Sequence, residues 1–252
     1  MLRIDVTQDF DQIRSRVAGA EKQVRFAMAQ ALTKTAQAVK AEQIKEMRDV
    51  FDRPTPYTLN SLFLRGARRD RLEAVVWLKD EGGEGTPATR YLAPQIRGGP
   101  RPLKKFELAL RQAGLLPDGM IAVPGTGARM DQYGNMSRGQ IVQILAYFRT
   151  FGEVGFKANI DAKGRRRLAR GTKTRQGFAY FVGRPADGKL PFGVWQRVHF
   201  AVGSAIKPIL LFVDQAHYEA IYDFDFVAKL TVQRELRGQF AQSLKSALAT
   251  AR

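Results

Sequence analysis

The residues in this sequence whose types and spacing best suit chemistry are cations. Seven of the thirteen residues from 163 to 175 are basic and none is acidic: Lys163, Arg165, Arg166, Arg167, Arg170, Lys173 and Arg175. Glycines at positions 164 and 171 predict a flexible loop instead of a recognition helix. Such a loop can neutralise phosphates without reading base sequence. It can also face an acidic protein, or be a solvated loop extended by its own charge repulsion.

No other group of residues predicts an active site. His199 and His217 lie in apolar stretches and the chain has no cysteine, so a zinc centre is not expected. Asp223 and Asp225 could share a Mg²⁺ in an extended segment. Just before a helix, however, they are expected to cap it. We therefore predict a protein that is not an enzyme, with no catalytic, cofactor-binding or metal site.

A short glycine-rich stretch raises the question of a phosphate-binding loop. The stretch 124–127 reads Pro-Gly-Thr-Gly and is not followed by the Gly-Lys-Ser/Thr that such a loop needs. We expect it to be an ordinary turn.

The charge of the chain is unusually positive and unevenly distributed. Lys and Arg number 41 against 24 Asp and Glu, a net charge of +17. The stretch 85–175 alone contains seventeen basic and five acidic residues. A positive field of this kind attracts nucleic acid, acidic protein surfaces or anionic lipid.

Several observations bear on the compartment. No run of about eighteen apolar residues is present, so no membrane partner is expected. Residues 1–5 show no apolar signal-peptide core, which predicts a chain that is not exported by that route. The absence of cysteine suits a reducing compartment.

These residues must be positioned by a fold that begins with a long helix. Apolar residues follow a spacing of mostly three or four from about residue 18 to residue 50, which predicts one buried stripe. The stripe consists of Val24, Met28, Leu32, Ala36, Val39, Met47 and Phe51. Pro54 and Pro56 end the helix, because neither can donate a backbone hydrogen bond.

Shorter patterns predict the remaining elements. Alternating or β-branched stretches indicate strands at 2–10, 72–79, 178–182, 194–200 and 209–213. Helices are expected from Pro102 to a cap at Gly114, and from an N-cap at Ser137 to about Gly152. A last helix should begin at Asp223 or Asp225 and run to about residue 248. The Gly- and Pro-rich stretch 117–136 is predicted to be loop or hairpin.

The order of these elements predicts an α+β fold. The long N-terminal and C-terminal helices should pack on one small antiparallel sheet built from the strands at 72–79, 178–182, 194–200 and 209–213. Residues 1–81 and 177–252 would form this core domain. Residues 82–176 would form a basic, loop-rich insertion with two short helices.

Six segments of the chain resemble, in order, the prophage minor tail protein Z family, also called tail completion proteins. The first is Phe-Asp-Arg-Pro-Thr-Pro-Tyr-Thr-Leu-Asn-Ser at 51–61. The second and third are Tyr-Leu-Ala-Pro-Gln-Ile-Arg-Gly-Gly at 91–99 and Arg-Pro-Leu-Lys-Lys-Phe-Glu at 101–107. The others lie at 115–120, 131–135 and 206–213.

The resemblance implies a structural virion protein of long-tailed bacteriophages. Its place would be the head–tail neck, in a ring or collar around the DNA channel that is expected to be hexameric, assembled in the host cytoplasm. Its partners would be copies of itself, the tail terminator or tail tube, head–tail connector proteins and, without sequence preference, genome DNA. The family brings no catalytic residues. The alternative from the charge alone is a non-sequence-specific nucleic-acid-binding protein that acts outside the virion.

Overall fold

A computed structural model describes residues 2–4, 21–81, 85–152, 158–200, 202–215 and 217–249 of the chain. The chain divides into two compact units. The first unit consists of Met1–Gly99 and Tyr218–Arg252, and the second of Pro100–His217.

The described helices and strands alternate irregularly along the chain. In chain order they are β1 (Leu2–Ile4), α1 (Glu21–Val50), α2 (Pro56–Leu59), β2 (Leu62–Arg65), β3 (Ala74–Leu78), α3 (Ala88–Tyr91), α4 (Ala93–Arg97), β4 (Gly99–Pro100), α5 (Lys105–Gln112), β5 (Met120–Pro124), α6 (Arg138–Tyr147), α7 (Ala162–Arg170), β6 (Phe178–Gly183), β7 (Gly193–His199), β8 (Ser204–Asp214), β9 (His217–Tyr218) and α8 (Phe224–Ala249).

The first unit packs two long helices and a small antiparallel sheet. The strand order is β1-β3-β2, with Leu2 opposite Val76 and Leu62 opposite Leu78. Helix α1 contacts α8 and this sheet. The α+β class, with long helices near both ends of the chain and small antiparallel sheets, is therefore confirmed.

Helix α1 buries the predicted apolar stripe. Its middle and C-terminal part joins a core that also takes side chains from β2 and β3: Leu32, Ala36, Val39, Met47, Leu62, Val76 and Leu78. Nearer the start of the helix, Val24 and Met28 pack against Phe240 and Ala247 of α8. The predicted helical residues 18–20, and most of the predicted strand at 2–10, lie outside the described residues.

Local hydrogen bonds fix the backbone after α1 and at the start of α8. After α1 ends at Val50, the Thr55 hydroxyl accepts a bond from the Thr58 backbone N–H at 3.2 Å and caps α2. At the start of α8, the Asp223 carboxylate accepts from the Phe226 N–H at 3.0 Å. The prediction that an aspartate at this point caps the last helix is confirmed.

The second unit is a four-stranded antiparallel sheet with helices packed on it. Its strand order is β5-β8-β7-β6. Residues of α5, α6 and the sheet share one buried core: Leu110, Ile144, Leu145, Tyr180, Val194, Ile209, Leu210 and Phe212. Two predicted caps are confirmed, since Gly114 follows α5 with a φ of 70° and Ser137 accepts from the Gln140 N–H at 3.3 Å.

The predicted single sheet is wrong. Strand β3 pairs with β1 and β2 in the first unit, whereas β6, β7 and β8 form a separate sheet with β5. Strand β5 comes from the stretch 117–136, which was predicted to be loop or hairpin, and it pairs Ile121 with Val213 of β8. This pairing joins residues about ninety positions apart, beyond the reach of local sequence patterns.

The observed units consequently differ from the predicted domains. The sequence pattern predicts residues 177–217 in the core with the terminal helices, whereas they belong to the same compact unit as residues 100–176. Residues 85–99 lie instead in the first unit. The expected two short helices of the insertion are in fact five, α3 to α7, among the described residues of 82–176.

Candidate nucleic-acid interface

The basic run predicted as a flexible loop is mostly a helix. At its start the Asp161 carboxylate accepts a hydrogen bond from the Gly164 N–H at 2.6 Å. At its end Gly171 has a φ of 74° and its N–H donates to the Arg167 carbonyl at 3.1 Å. These two residues supply the N-cap and the left-handed C-terminal residue that terminate helices.

The glycines that suggested flexibility serve close packing. A Cβ at Gly164 would lie 2.7 Å from Cγ2 of Ile160 and 3.0 Å from the capping oxygen of Asp161. A Cβ at Gly171 would meet the Arg175 carbonyl at 2.5 Å. The prediction of a loop was wrong because these glycines allow tight contacts within a defined structure.

Helix α7 has an exposed basic side and a side that packs on the protein. Lys163, Arg166, Arg167 and Arg170 follow the spacing i, i+3, i+4, i+7, which places them on one side of the helix, and all four are exposed. We call these four residues the cationic face. On the other side Leu168 packs against the core of the second unit. The helix is thus anchored by an apolar residue and presents charge outward.

The other three predicted site residues occupy different positions. The guanidinium carbon of Arg165 lies 5.9 Å from the centre of the Tyr147 ring, so this half-buried residue faces the protein. Lys173 and Arg175 are exposed in the turn that follows α7. In this turn the Thr172 hydroxyl accepts from the Arg175 N–H at 3.0 Å.

The charge of the cationic face is not neutralised within the part of the chain that the structure describes. No described carboxylate forms an ion pair with any of its four residues. Cations at spacings of three and four repel one another. The C-terminal dipole of the helix partly offsets this repulsion for Arg167 and Arg170. An anionic partner would remove the remaining repulsion.

Among the described residues no cluster of His, Asp and Glu could hold a metal ion. In the stretch 124–127, Gly125 and Gly127 donate their N–H groups to the carbonyls of Ile209 and Pro208 at 2.9 and 2.8 Å. These N–H groups are therefore occupied in a turn beside β8 and do not form a phosphate cradle.

Within the described ranges, the helices lack the combination of length and apolar character that crossing a bilayer demands.

Comparison with known proteins gives no relative. No protein-family model, no curated protein and no solved structure matches this chain.

Proposed function

We propose that this chain is a non-enzymatic structural subunit of a long-tailed bacteriophage, a minor tail or tail completion protein at the head–tail neck. In this proposal its cationic face contacts negative charge, either DNA in the channel or an acidic neighbour. The main support is that six segments, in chain order, resemble the tail completion family. The cationic face is the structural feature that fits the proposed place.

The family-like segments coincide with features that fix the backbone. In the segment 91–99, the Gln95 carbonyl accepts from the N–H groups of Ile221 and Tyr222, both at 2.9 Å. In the segment 131–135, the Asp131 carboxylate accepts from the N–H groups of Tyr133 and Asn135, both at 2.9 Å. Segments that form turns and contain no reactive side chains suit a structural protein.

Two further segments contribute to the interior and the sheet of the second unit. The segment 101–107 contains Arg101 and Glu107, which form an ion pair with the glutamate fully buried. The segment 206–213 lies in β8, the strand between β5 and β7 in the sheet. The ion pair and the inward-facing residues of β8, Ile209, Leu210 and Phe212, belong to the interior of this unit.

Self-association is part of the proposal, and the first unit offers a surface suited to it. Phe226 and Leu230 lie one turn apart on α8 and are 61% and 51% exposed. Large apolar side chains at this spacing form a continuous patch that gains free energy when covered. In a ring of copies, we expect this patch to contact the next subunit.

The alternative is a nucleic-acid-binding protein that acts outside the virion. The cationic face favours it equally, because four exposed cations on a nine-residue helix can bind phosphates without reading sequence. The two functions differ in where the protein is found, since only the virion subunit should be present in purified particles.

The role of the cationic face can be tested by complementation of a phage that lacks this protein. The variant Arg166→Gln, Arg167→Gln, Arg170→Gln removes three charges and keeps residues that favour helices. We expect tails of normal length that join heads poorly or fail to deliver DNA. The matched control replaces exposed cations elsewhere in the second unit, Arg129, Arg138 and Lys189, with Gln. Full infectivity of the first variant would contradict the proposed role of this face.

A further inference from the structure

A groove in the first unit has the chemistry of a second anion-binding site. It lies between α1 and the segment that follows β2, with a volume of about 530 Å³. Its lining comprises Phe26, Ala29, Gln30, Thr33, Lys34, Gln37, Ala67, Arg68 and Arg69. These described residues supply three cations, two amides and an aromatic ring, and no carboxylate.

The wall of the groove is held in place by Thr33. Its hydroxyl donates to the Ala29 carbonyl at 2.8 Å and accepts from the Ala67 N–H at 3.0 Å. A Cβ on Gly66 would lie 3.1 Å from the Thr33 side chain, so the segment approaches α1 closely at this point. The groove is therefore formed before any ligand binds, which reduces the entropy lost on binding.

Arg69 is positioned over the aromatic ring of the groove. Its guanidinium carbon lies 4.7 Å from the centre of the Phe26 ring, within the range of a cation–π contact. The Arg69 carbonyl also accepts from Nη1 of Arg25 at 3.1 Å. These contacts hold a planar cation and a ring together at the surface, where Phe26 is 37% exposed.

The cations of the groove are available to a ligand. No described carboxylate forms an ion pair with Lys34, Arg68 or Arg69. The buried carboxylate closest to them in sequence, Glu73, is already paired with Arg65 and Arg71 at 2.9 and 3.0 Å.

We propose that this groove binds single-stranded nucleic acid, independently of the cationic face of α7. Lys34, Arg68 and Arg69 would contact successive phosphates, and Gln30 and Gln37 would hydrogen-bond to sugars or base edges. A base would stack on the outer face of the Arg69 guanidinium, which the Phe26 ring supports from below. This stacking favours a single strand over a duplex, whose bases already stack on each other, and over an acidic peptide, which offers carboxylates without flat rings.

The test uses the full-length chain with the cationic face removed by Arg166→Gln, Arg167→Gln, Arg170→Gln. In this background, fluorescence anisotropy measures binding to a labelled single strand of about 20 nucleotides and to a duplex of the same length over a range of salt. Adding Lys34→Gln, Arg68→Gln and Arg69→Gln should weaken single-strand binding about tenfold at moderate salt and lower the salt slope by about 2 units. Replacing Lys45, Arg48 and Lys229 with Gln is the charge-matched control.

A second variant keeps the charge and removes only the ring. Phe26→Leu should weaken single-strand binding roughly fivefold, leave the duplex affinity unchanged and preserve the salt slope. The exposed Phe63→Leu is its control. Because this change is small, it tests the groove even if the triple variant fails to fold.

Three results would overturn the proposal. The first is equal single-strand affinity of the groove variant and its charge-matched control. The second is no effect of Phe26→Leu on single-strand binding. The third is displacement of the strand by poly-glutamate as effectively as by unlabelled oligonucleotide, which would identify the groove as a site for acidic polypeptide.

Discussion

Arg101 and Glu107 form a two-pronged ion pair inside the second unit. The distances are 2.8 Å from Nη1 to Oε2 and 2.6 Å from Nη2 to Oε1. The same carboxylate accepts from the backbone N–H groups of Lys104 and Ala122 at 2.7 and 2.8 Å. One buried glutamate thus connects the start of α5 to strand β5.

This pair predicts a loss of stability when the carboxylate loses its charge. Glu107→Gln leaves the largely buried Arg101 guanidinium without its anion, which should lower the free energy of unfolding by about 3 kcal/mol. Urea denaturation at pH 7 measures the effect. The control is Asp118→Asn, whose side chain is 96% exposed and should change stability by less than about 0.5 kcal/mol.

The same pair predicts how stability depends on pH. Burial would raise the pKa of Glu107, but hydrogen bonds from Arg101, Lys104 and Ala122 outweigh it and hold the pKa below its usual value. Because the pKa of Glu107 is lower in the folded than in the unfolded chain, its carboxylate contributes its full stabilisation at pH values above the unfolded-state pKa of about 4.3. This stabilisation is lost as the pH falls through the folded value. The natural chain takes up about one proton at Glu107 when it unfolds in acid, and the Glu107→Gln variant does not. As the pH falls below about 5, the free energy of unfolding should therefore decrease less in the variant than in the natural chain.

A buried hydrogen bond between α1 and the start of α8 gives a prediction for the first unit. Tyr222 donates to Oε1 of Gln43 at 2.6 Å, and Nε2 of Gln43 donates to the Phe224 carbonyl at 2.7 Å. Tyr222→Phe leaves the amide oxygen unsatisfied and should cost about 1–2 kcal/mol in thermal or urea unfolding. Tyr57→Phe removes an exposed hydroxyl bond to the Thr86 carbonyl and should have a much smaller effect. Equal effects would contradict the importance of burial here.

Two helical glycines should respond oppositely to alanine. A Cβ at Gly238 of α8 would have open space around it: apart from its chain neighbours and the backbone of its own helix, no atom of the described residues lies within 4 Å. Gly238→Ala should therefore stabilise the protein by about 0.5–1 kcal/mol. Gly164→Ala should instead destabilise it, because its methyl would collide with Ile160 and displace the Asp161 cap. A stabilising Gly164→Ala would show that the start of α7 is not packed in this way.

The exposed pair on α8 predicts an effect on assembly. Phe226→Gln with Leu230→Gln should shift the protein toward the monomer in sedimentation velocity, because the apolar patch is the proposed subunit contact. The exposed Leu248→Gln serves as the control on the same helix. An unchanged distribution of oligomers would exclude this patch as the contact.

Local signals explain which parts of the fold were predictable. The stripe from Val24 to Met47, the caps at Ser137 and Asp223 and the strand at 209–213 depend on residues near one another in sequence. Strand partners depend on distant residues, so the pairing of β5 with β8 was missed. Gly164 was misinterpreted because only the surrounding side chains distinguish a glycine needed for packing from one that gives flexibility.

In the candidate sites, too, local features were predictable and contacts between distant residues were not. The seven basic residues of 163–175 were evident from composition, but their separation into a cationic face, an inward Arg165 and a turn needed the helix. The groove could not be predicted, because Phe26 and Arg69 are 43 positions apart and no local pattern shows that the arginines of 65–71 lie beside α1.

The most direct test of the central claim is whether the protein is part of the phage particle. Particles from a host that makes a tagged copy, purified by density gradient and washed in high salt, should contain the protein at a fixed ratio to the tail tube protein. Without it, tails of normal length should accumulate that join heads poorly or fail to deliver DNA. Absence from washed particles, together with normal infectivity of a phage that lacks the protein, would contradict the account.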